Sequence, residues 1–366
     1  MILTIIIFVL ILGLLILVHE LGHFITAKRA GVKIEEFGFG YPPKIFGIKK
    51  GETTYSLNLL PFGGFVRICG ENGPEVDKVQ TKDEQRAFYN KPIGKRAKII
   101  VAGVIMNVIL AMVLLSFGYW LGLPAVVEDV VANDLRDVKI QITQVAFETP
   151  AEEAEISIGD TIKELQFSGE VIVPEKIEDV QNFISSHLGE QIIVVIERGD
   201  EVLNKEIVPR MDYPENEGSI GVGLARTAIV SYSWYKAIYM GVINTINLLW
   251  LVAIMLAGII WQLLMAGKVA AEIAGPVGIF NLTGQATQLG FIYVLQLTAL
   301  LSINLAIINI IPFPALDGGR LLFLIIEKIK GSPVSRKIEG IIHTSGFIFL
   351  ILLIIAITWR DVVRLF

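Results

Sequence analysis

The chain has almost none of the residue that disulfide frameworks and thiolate metal sites require: one cysteine, Cys69, in 366 residues. An internal disulfide and a cysteine-built zinc site are therefore excluded, while the redox compartment stays open. Histidine is also scarce, with four in the whole chain, so any close pair stands out. Charged residues make up only 18%, and the formal net charge is −5, with a pI near 5.6. That balance leaves no basic footprint for nucleic acid, and none is expected as a partner. Internal repeats and low-complexity stretches are absent. The first apolar run lacks the basic flank and small-residue cleavage site of a signal peptide, so it is expected to remain as a membrane span.

Apolar residues, by contrast, are abundant. They make up 53% of the chain, and the mean hydropathy is +0.63, values that point to several membrane spans. Met1–Val18 is nearly all apolar, and its helical run extends to about Ala27, roughly 40 Å at 1.5 Å per residue. Further spans read at Ile99–Leu121, Phe291–Ile311 and Ile341–Trp359. Lys28, Arg29, Lys33, Lys44, Lys49 and Lys50 lie between spans one and two, and Lys91, Lys95, Arg96 and Lys98 just before span two. Positive flanks mark the cytoplasmic side, so the amino terminus faces out and this loop faces in. The segment from Pro124 to about Tyr232 opens with Glu128, Asp129 and Asp134 and faces out.

Tyr235–Met265 is also long and apolar enough to cross. Counting it would put Asp317 on the outer face, yet Arg320, Lys328, Lys330, Arg336 and Lys337 follow Asp317, while Lys268 alone follows Met265 closely. The positive-inside rule therefore keeps Asp317 cytoplasmic and makes Tyr235–Met265 an outer-leaflet segment without a net crossing. Tyr235, Tyr239, Trp250 and Trp261 suit an interface. The resulting fold class is a polytopic α-helical membrane protein with four transmembrane helices and both termini outside.

Gly31–Gly70 reads as short strands and turns, with aromatics and β-branched residues between glycines and prolines. Its apolar content favours a membrane-associated β-region dipping toward the active site over an ordinary loop. Lys139–Arg210 reads as a small α/β domain. Its strands fall at Ile140–Val145, Ile192–Glu197 and Val202–Val208, with a helix at Ile177–His187 and a shorter one from Thr149-Pro150-Ala151. Pro214–Gly218 reads as a surface linker.

The chemistry is concentrated in His19-Glu20-Leu21-Gly22-His23. Residues four apart share a helix face about one turn apart, so the two imidazoles can bind one zinc ion. Glu20 can then serve as base for a water on that ion. Two histidines and a glutamate are expensive inside an apolar helix and indicate function there; a polar network joining helices is the plain alternative. A catalytic zinc needs a third protein ligand. Asp317 is the candidate, in a segment where Pro312, Pro314, Gly318 and Gly319 break the helix. Broken backbone at membrane depth requires burial in protein or access to water. His187 reads as a surface residue, His343 as interfacial and Cys69 as packing.

At these motifs the chain resembles the bacterial site-2 protease family of intramembrane zinc metalloproteases, of the RseP type. His19-Glu-Leu-Gly-His23-Phe matches the first family motif, and Asn309, Pro312 and Leu316-Asp317-Gly318 match the second. Leu60-Pro-Phe-Gly-Gly-Phe-Val66 is similar to the glycine loop of the family's membrane-reentrant β-region, so Gly63 and Gly64 are implied to contact substrate. Gly103, Asn107 and Gly275-Pro276-Val277-Gly278-Ile279 also match. Thr149-Pro-Ala and Ile158-Gly-Asp160 resemble a PDZ domain, with room for one copy where some members carry two. The resemblance implies that Asn309 holds the substrate backbone. Asn107 and Asn304 either share that role or join helices by hydrogen bonds.

These readings divide the chain into helix one with the zinc motif (1–27), the cytoplasmic-side β-region (28–96) and helix two (97–122). An extracytoplasmic PDZ-like domain (123–212), a linker with the outer-leaflet segment (213–290), helix three with the third ligand (291–330) and helix four (338–366) complete it. Implied partners are membrane lipid and single-span membrane proteins, namely anti-sigma factors or signal-peptide remnants. The implied place is the cell membrane; oligomeric state is not legible. A membrane-anchored PDZ scaffold with a non-catalytic metal site is the alternative function, but a scaffold has no use for Glu20. A transporter is disfavoured because no inverted repeat accompanies the broken helix.

Overall fold

Within lipid, backbone polar groups must be satisfied inside the segment, which makes helices of the long apolar runs. The computed structural model describes residues 1–71, 73, 84–126, 136–199, 201–214, 218–266 and 275–363. Glu128, Asp129, Asp134, Lys268 and linker residues 215–217 lie outside that set. In chain order the first elements are α1 (Ile2–Arg29), β1 (Ile34–Lys50), β2 (Thr53–Ile68), α2 (Ile93–Leu121), β3 (Leu123–Val126), β4 (Arg136–Val145) and α3 (Pro150–Glu153). There follow β5 (Thr161–Phe167), β6 (Glu170–Ile172), α4 (Ile177–Ser186), β7 (Ile192–Arg198), β8 (Glu201–Ile207) and β9 (Val222–Val230). The chain ends with α5 (Trp234–Ala266), α6 (Pro276–Leu289), α7 (Phe291–Ile310), α8 (Asp317–Lys330) and α9 (Arg336–Val363). Two units result: residues 1–117, 238–287 and 294–366, and residues 118–237 and 288–293.

The first unit holds the apolar helices. Among the described residues, five are long and apolar enough to cross a membrane: α1, α2, α5, α7 and α9. Helices α2 and α9 start earlier than their apolar runs, so Lys95, Arg96 and Lys98 lie on α2 itself. Segment 235–265 forms one continuous helix of 33 residues; its most apolar stretch has no residue buried inside the protein. Gly241 of α5 packs directly on Ser116 of α2.

The β-region corrects the short strands read from the sequence. Its glycines and prolines bend two long strands instead of ending them, and β1 and β2 pair antiparallel over their length. Residues 36–39 are flanked on one side by 54–57 and on the other by 64–67, while 44–50 pairs along 53–58. The segment 64–67 is therefore an outer edge of this sheet. Ala27, Val32, Ile34, Ile68, Phe88, Ile99, Ile100 and Leu324 form the apolar core that fixes the β-region against α1, α2 and α8.

In the second unit the sheet order is β3-β9-β4-β5-β7-β8, with β6 beside β5. Alternating Ile140, Ile142, Val194 and Ile196 pack with Val180 and Phe183 of α4. One difference from the sequence reading concerns its end: β9 lies beyond residue 212, yet pairs with both β3 and β4 inside this sheet. Gly223 and Ala225 weaken its local strand signal, and pairing with β3 and β4 overrides them. Segment 149–156 forms a single helical turn, α3, capped by Thr149. Asp160 is buried and bonded bidentately by Arg198, at 2.7 Å to each oxygen. A cavity of about 350 Å³ opens between α4 and Gly218–Leu224, with Ile177, Gln181, Ile220 and Val222 in its walls.

Candidate metal centre

The spacing of His19 and His23 on α1 aims both rings at one point, and both are buried. The rings stand edge to face with centroids 4.8 Å apart. Asp317 arrives from the first turn of α8, 298 residues from His19 in sequence. Its Oδ2 lies 3.0 Å from His19 Nε2 and 3.2 Å from His23 Nε2. The two Nε2 atoms are 3.1 Å apart. A tetrahedral zinc with bonds of about 2.0–2.1 Å spaces its ligand atoms roughly 3.3 Å apart. The donor set thus fits one such ion with a small outward adjustment. Among the described residues this is the one cluster of three metal-ligating side chains.

Neighbouring groups orient the rings. His23 Nδ1–H donates to the carbonyl of Ile99 at 2.8 Å, which leaves the Nε2 lone pair facing the cluster. His19 Nδ1 meets the amide of Asn107 at 3.3 Å. Asn107 is fully buried, and its Oδ1 has no partner among the described residues. Turning that amide over satisfies both groups, with His19 Nδ1–H donating to Oδ1. Ser302 of α7 donates to the Asn107 carbonyl at 2.8 Å and ties α7 to the same point. Asn107 therefore joins α2 to α1 by a hydrogen bond, one of the two roles read for it from the sequence, and its partner there is a ring of the cluster.

Small residues make the room. A Cβ on Gly103 would lie 2.5 Å from His23 Nε2 and 2.7 Å from His19 Cε1. Gly103→Ala is therefore expected to abolish proteolysis and metal retention while the protein still inserts in the membrane. Metal analysis and a cleavage assay on the purified variant check this; wild-type values for both would show that the rings can yield. Gly318 and Gly319 are not in the helix break, which spans Ile311–Leu316. They sit inside α8, where a Cβ on Gly318 would meet the Ile311 carbonyl at 2.0 Å. Their smallness lets the first turn of α8 fold back on the loop and point Asp317 at α1.

His343, read from the sequence as interfacial, also supports that loop: its Nδ1 accepts from Ala315 N–H at 3.0 Å. Ala315 has a left-handed φ of +75°, costly for a residue with a Cβ, so the bond holds a strained turn two residues before Asp317. Arg320 pairs with Glu71 beyond the β-region. His187 packs between Phe167 and Phe183.

Glu20 turns toward the β-region, where the Val66 N–H donates to its Oε2 at 3.1 Å. Gly64 lies beside it, with the Glu20 Cγ 4.0 Å from the position of a Cβ. Gly63 adopts φ +104° and backs onto Ile16. Asn309 is half-buried in the last turn of α7 and makes no hydrogen bond among the described residues. Histidines, aspartate and glutamate are thus gathered, and the glycines border Glu20; Asn309 makes no bond to that group.

A family profile and several relatives match the chain along most of its length. The profile of peptidase family M50 matches residues 7–353. The regulator of sigma-W protease RasP of Bacillus subtilis is 31% identical, with 99% of each chain covered. The zinc metalloprotease RasP of Bacillus licheniformis is 32% identical, again over 99% of each. A putative zinc metalloprotease of Clostridium acetobutylicum is 32% identical over 98% of this chain and 97% of its own. A match along nearly the whole chain, joined to a convergent His19, His23 and Asp317, leads to one conclusion: this chain belongs to peptidase family M50, the site-2 protease family.

Proposed function

We propose that this multi-pass membrane metalloprotease holds its zinc ion with His19, His23 and Asp317 and cleaves single-span membrane proteins within the bilayer. The observation that carries the reading is the convergence of three ligand atoms from α1 and α8 to mutual distances of 3.0–3.2 Å. Zinc, when bound there, supplies Lewis acidity toward a peptide carbonyl and lowers the pKa of water. Glu20 accepts the proton from the attacking water, and the Val66 N–H fixes its carboxylate orientation. It then returns the proton to the leaving amine.

A helical substrate hides its carbonyls, so it must be held extended. The outer edge at 64–67 offers unpaired backbone groups for an added strand. Val66 N–H already points away from the sheet to Glu20, so a strand paired there would pass beside the base. Gly63 and Gly64 keep this edge close to α1, and the free amide of Asn309 is placed to bind substrate backbone.

Four crossings fit best. Gly275 and Gly278 N–H both donate to Asp361 near the end of α9, at 3.0 Å each. Phe280 stacks edge-on with Phe8 near the start of α1. The start of α5 contacts Ser116, close to the same end of α2. The chain thus leaves and regains one end of the bundle around α5, which supports no net crossing by residues 235–265. With positive loops inside, that end is extracytoplasmic. A cysteine at Pro276 in a Cys69→Ser background is expected to react with an impermeant reagent from outside only. Labelling from the cytoplasm alone would overturn four crossings.

The second unit serves as one extracytoplasmic PDZ-like domain, with the cavity between α4 and Gly218–Leu224 receiving a peptide end. Since one relative is named for regulation of sigma-W, membrane-bound anti-sigma factors are the proposed substrate class, with signal-peptide remnants as a second source. Reconstituted enzyme should cut such a single-span segment in a zinc-dependent manner. An intact substrate, with zinc bound, would refute the assignment.

A further inference from the structure

Between α1 and α2 lies a groove of about 660 Å³, lined by these two helices alone. Its floor is formed by Gly22 and Ala102, and Ile25, Val101, Ile105 and Met106 line its walls. The two helices pack antiparallel, with His23 beside Ile99 and His19 beside Asn107. That crossing places Arg29 and Lys98 together at one mouth of the groove. Ile105 lies seven residues further along α2, about 10 Å deeper at 1.5 Å per residue. Arg29 and Lys98 are both exposed, and neither has an ion-pair partner among the described residues. Nearby cations are engaged differently: Arg96 is paired with Glu327, and Lys28 lies over the Phe24 ring.

We propose that this groove binds one anionic phospholipid, its phosphate between Arg29 and Lys98 and an acyl chain along Ile25, Val101 and Ile105. An apolar trough capped by two unpaired cations matches both halves of such a molecule. Basic pockets between transmembrane helices at the membrane surface recognise anionic headgroups in this way. A zwitterionic lipid brings its own cation and gains less from the pair. The occupant would lie directly behind Gly22, next to His23, and brace the α1–α2 contact that holds both imidazoles. The proposal goes beyond proteolysis and stands whether or not the metal is loaded.

The test uses full-length protein in vesicles of phosphatidylcholine that contain a trace of photoactivatable phosphatidylglycerol with the reactive group on its acyl chain. Adducts are expected on Ile25, Val101, Ile105 or Met106 and should be displaced by excess unlabelled phosphatidylglycerol but not by phosphatidylcholine. Arg29→Gln with Lys98→Gln should reduce labelling by about tenfold or more, given roughly a fivefold gain per surface cation. Lys98→Arg alone keeps both charges and should retain wild-type labelling. Lys95→Gln removes an exposed cation outside the groove and should leave labelling unchanged. Equal displacement by both lipids, or an equal loss with Lys95→Gln, would reduce the effect to general surface charge and overturn the site. Blocking of the adducts by a single-span substrate, and not by lipid, would assign the groove to protein and overturn it as well.

Discussion

Glu20→Gln is expected to leave zinc bound and to lower intramembrane cleavage by at least 100-fold. Glutamine preserves the shape and its amide oxygen still accepts the Val66 N–H, so the contact at 3.1 Å survives. What it cannot do is take a proton from water at neutral pH. General acid–base catalysis contributes about 10²–10⁴-fold, and in the proposed mechanism one carboxylate performs both transfers. His19, His23 and Asp317 are untouched, so metal content should stay at the wild-type ratio. The check pairs a reconstituted cleavage assay with elemental analysis of the same preparation. Cleavage near the wild-type rate would remove Glu20 from the base role.

Asp317→Asn is expected to act on the metal itself. The carboxylate supplies the one anionic donor, with Oδ2 within 3.2 Å of both imidazole nitrogens. A neutral amide of the same size keeps the packing of α8 but binds zinc weakly. Loss of groups that merely orient a ligand costs about 10–100-fold in metal affinity, so loss of a direct ligand should cost at least 100-fold. Titration with a competing chelator measures this, and activity should fall in parallel at limiting zinc. Unchanged affinity would return Asp317 to a structural role at the start of α8. Taken with Glu20→Gln, the two variants separate failure of chemistry from failure of metal binding.

The parts of the site legible in the sequence are those that depend on local geometry. Histidines four apart within a long apolar stretch had to share a face of α1, and polar groups at that cost had to do something. The need for a third ligand led to Asp317 because few ionisable residues lie near a break in an apolar run. The placement of Gly318 and Gly319 was read differently, as part of the break. Their function is steric, and a steric demand shows only when the facing carbonyls are in place. Resemblance marks Gly103 and Asn107 in the sequence, but nothing in α2 itself says that imidazoles from α1 press against one and bond to the other.

The same division runs through the fold. Apolar length determined that α1, α2, α5, α7 and α9 are membrane-length helices, and alternation determined the strands that became β4, β7 and β8, because these signals repeat within a few residues. Tertiary structure decided the rest. Strand β9 joins the sheet through pairing with β3 and β4, despite Gly223 near its start. The β-region became two long bent strands because pairing between distant residues satisfies backbone groups across their turns. Most of all, the sequence determined which residues are able to ligate a metal. Only the packing of α1, α2 and α8 decided that three of their atoms meet, because a contact across 298 residues is set by everything folded between them.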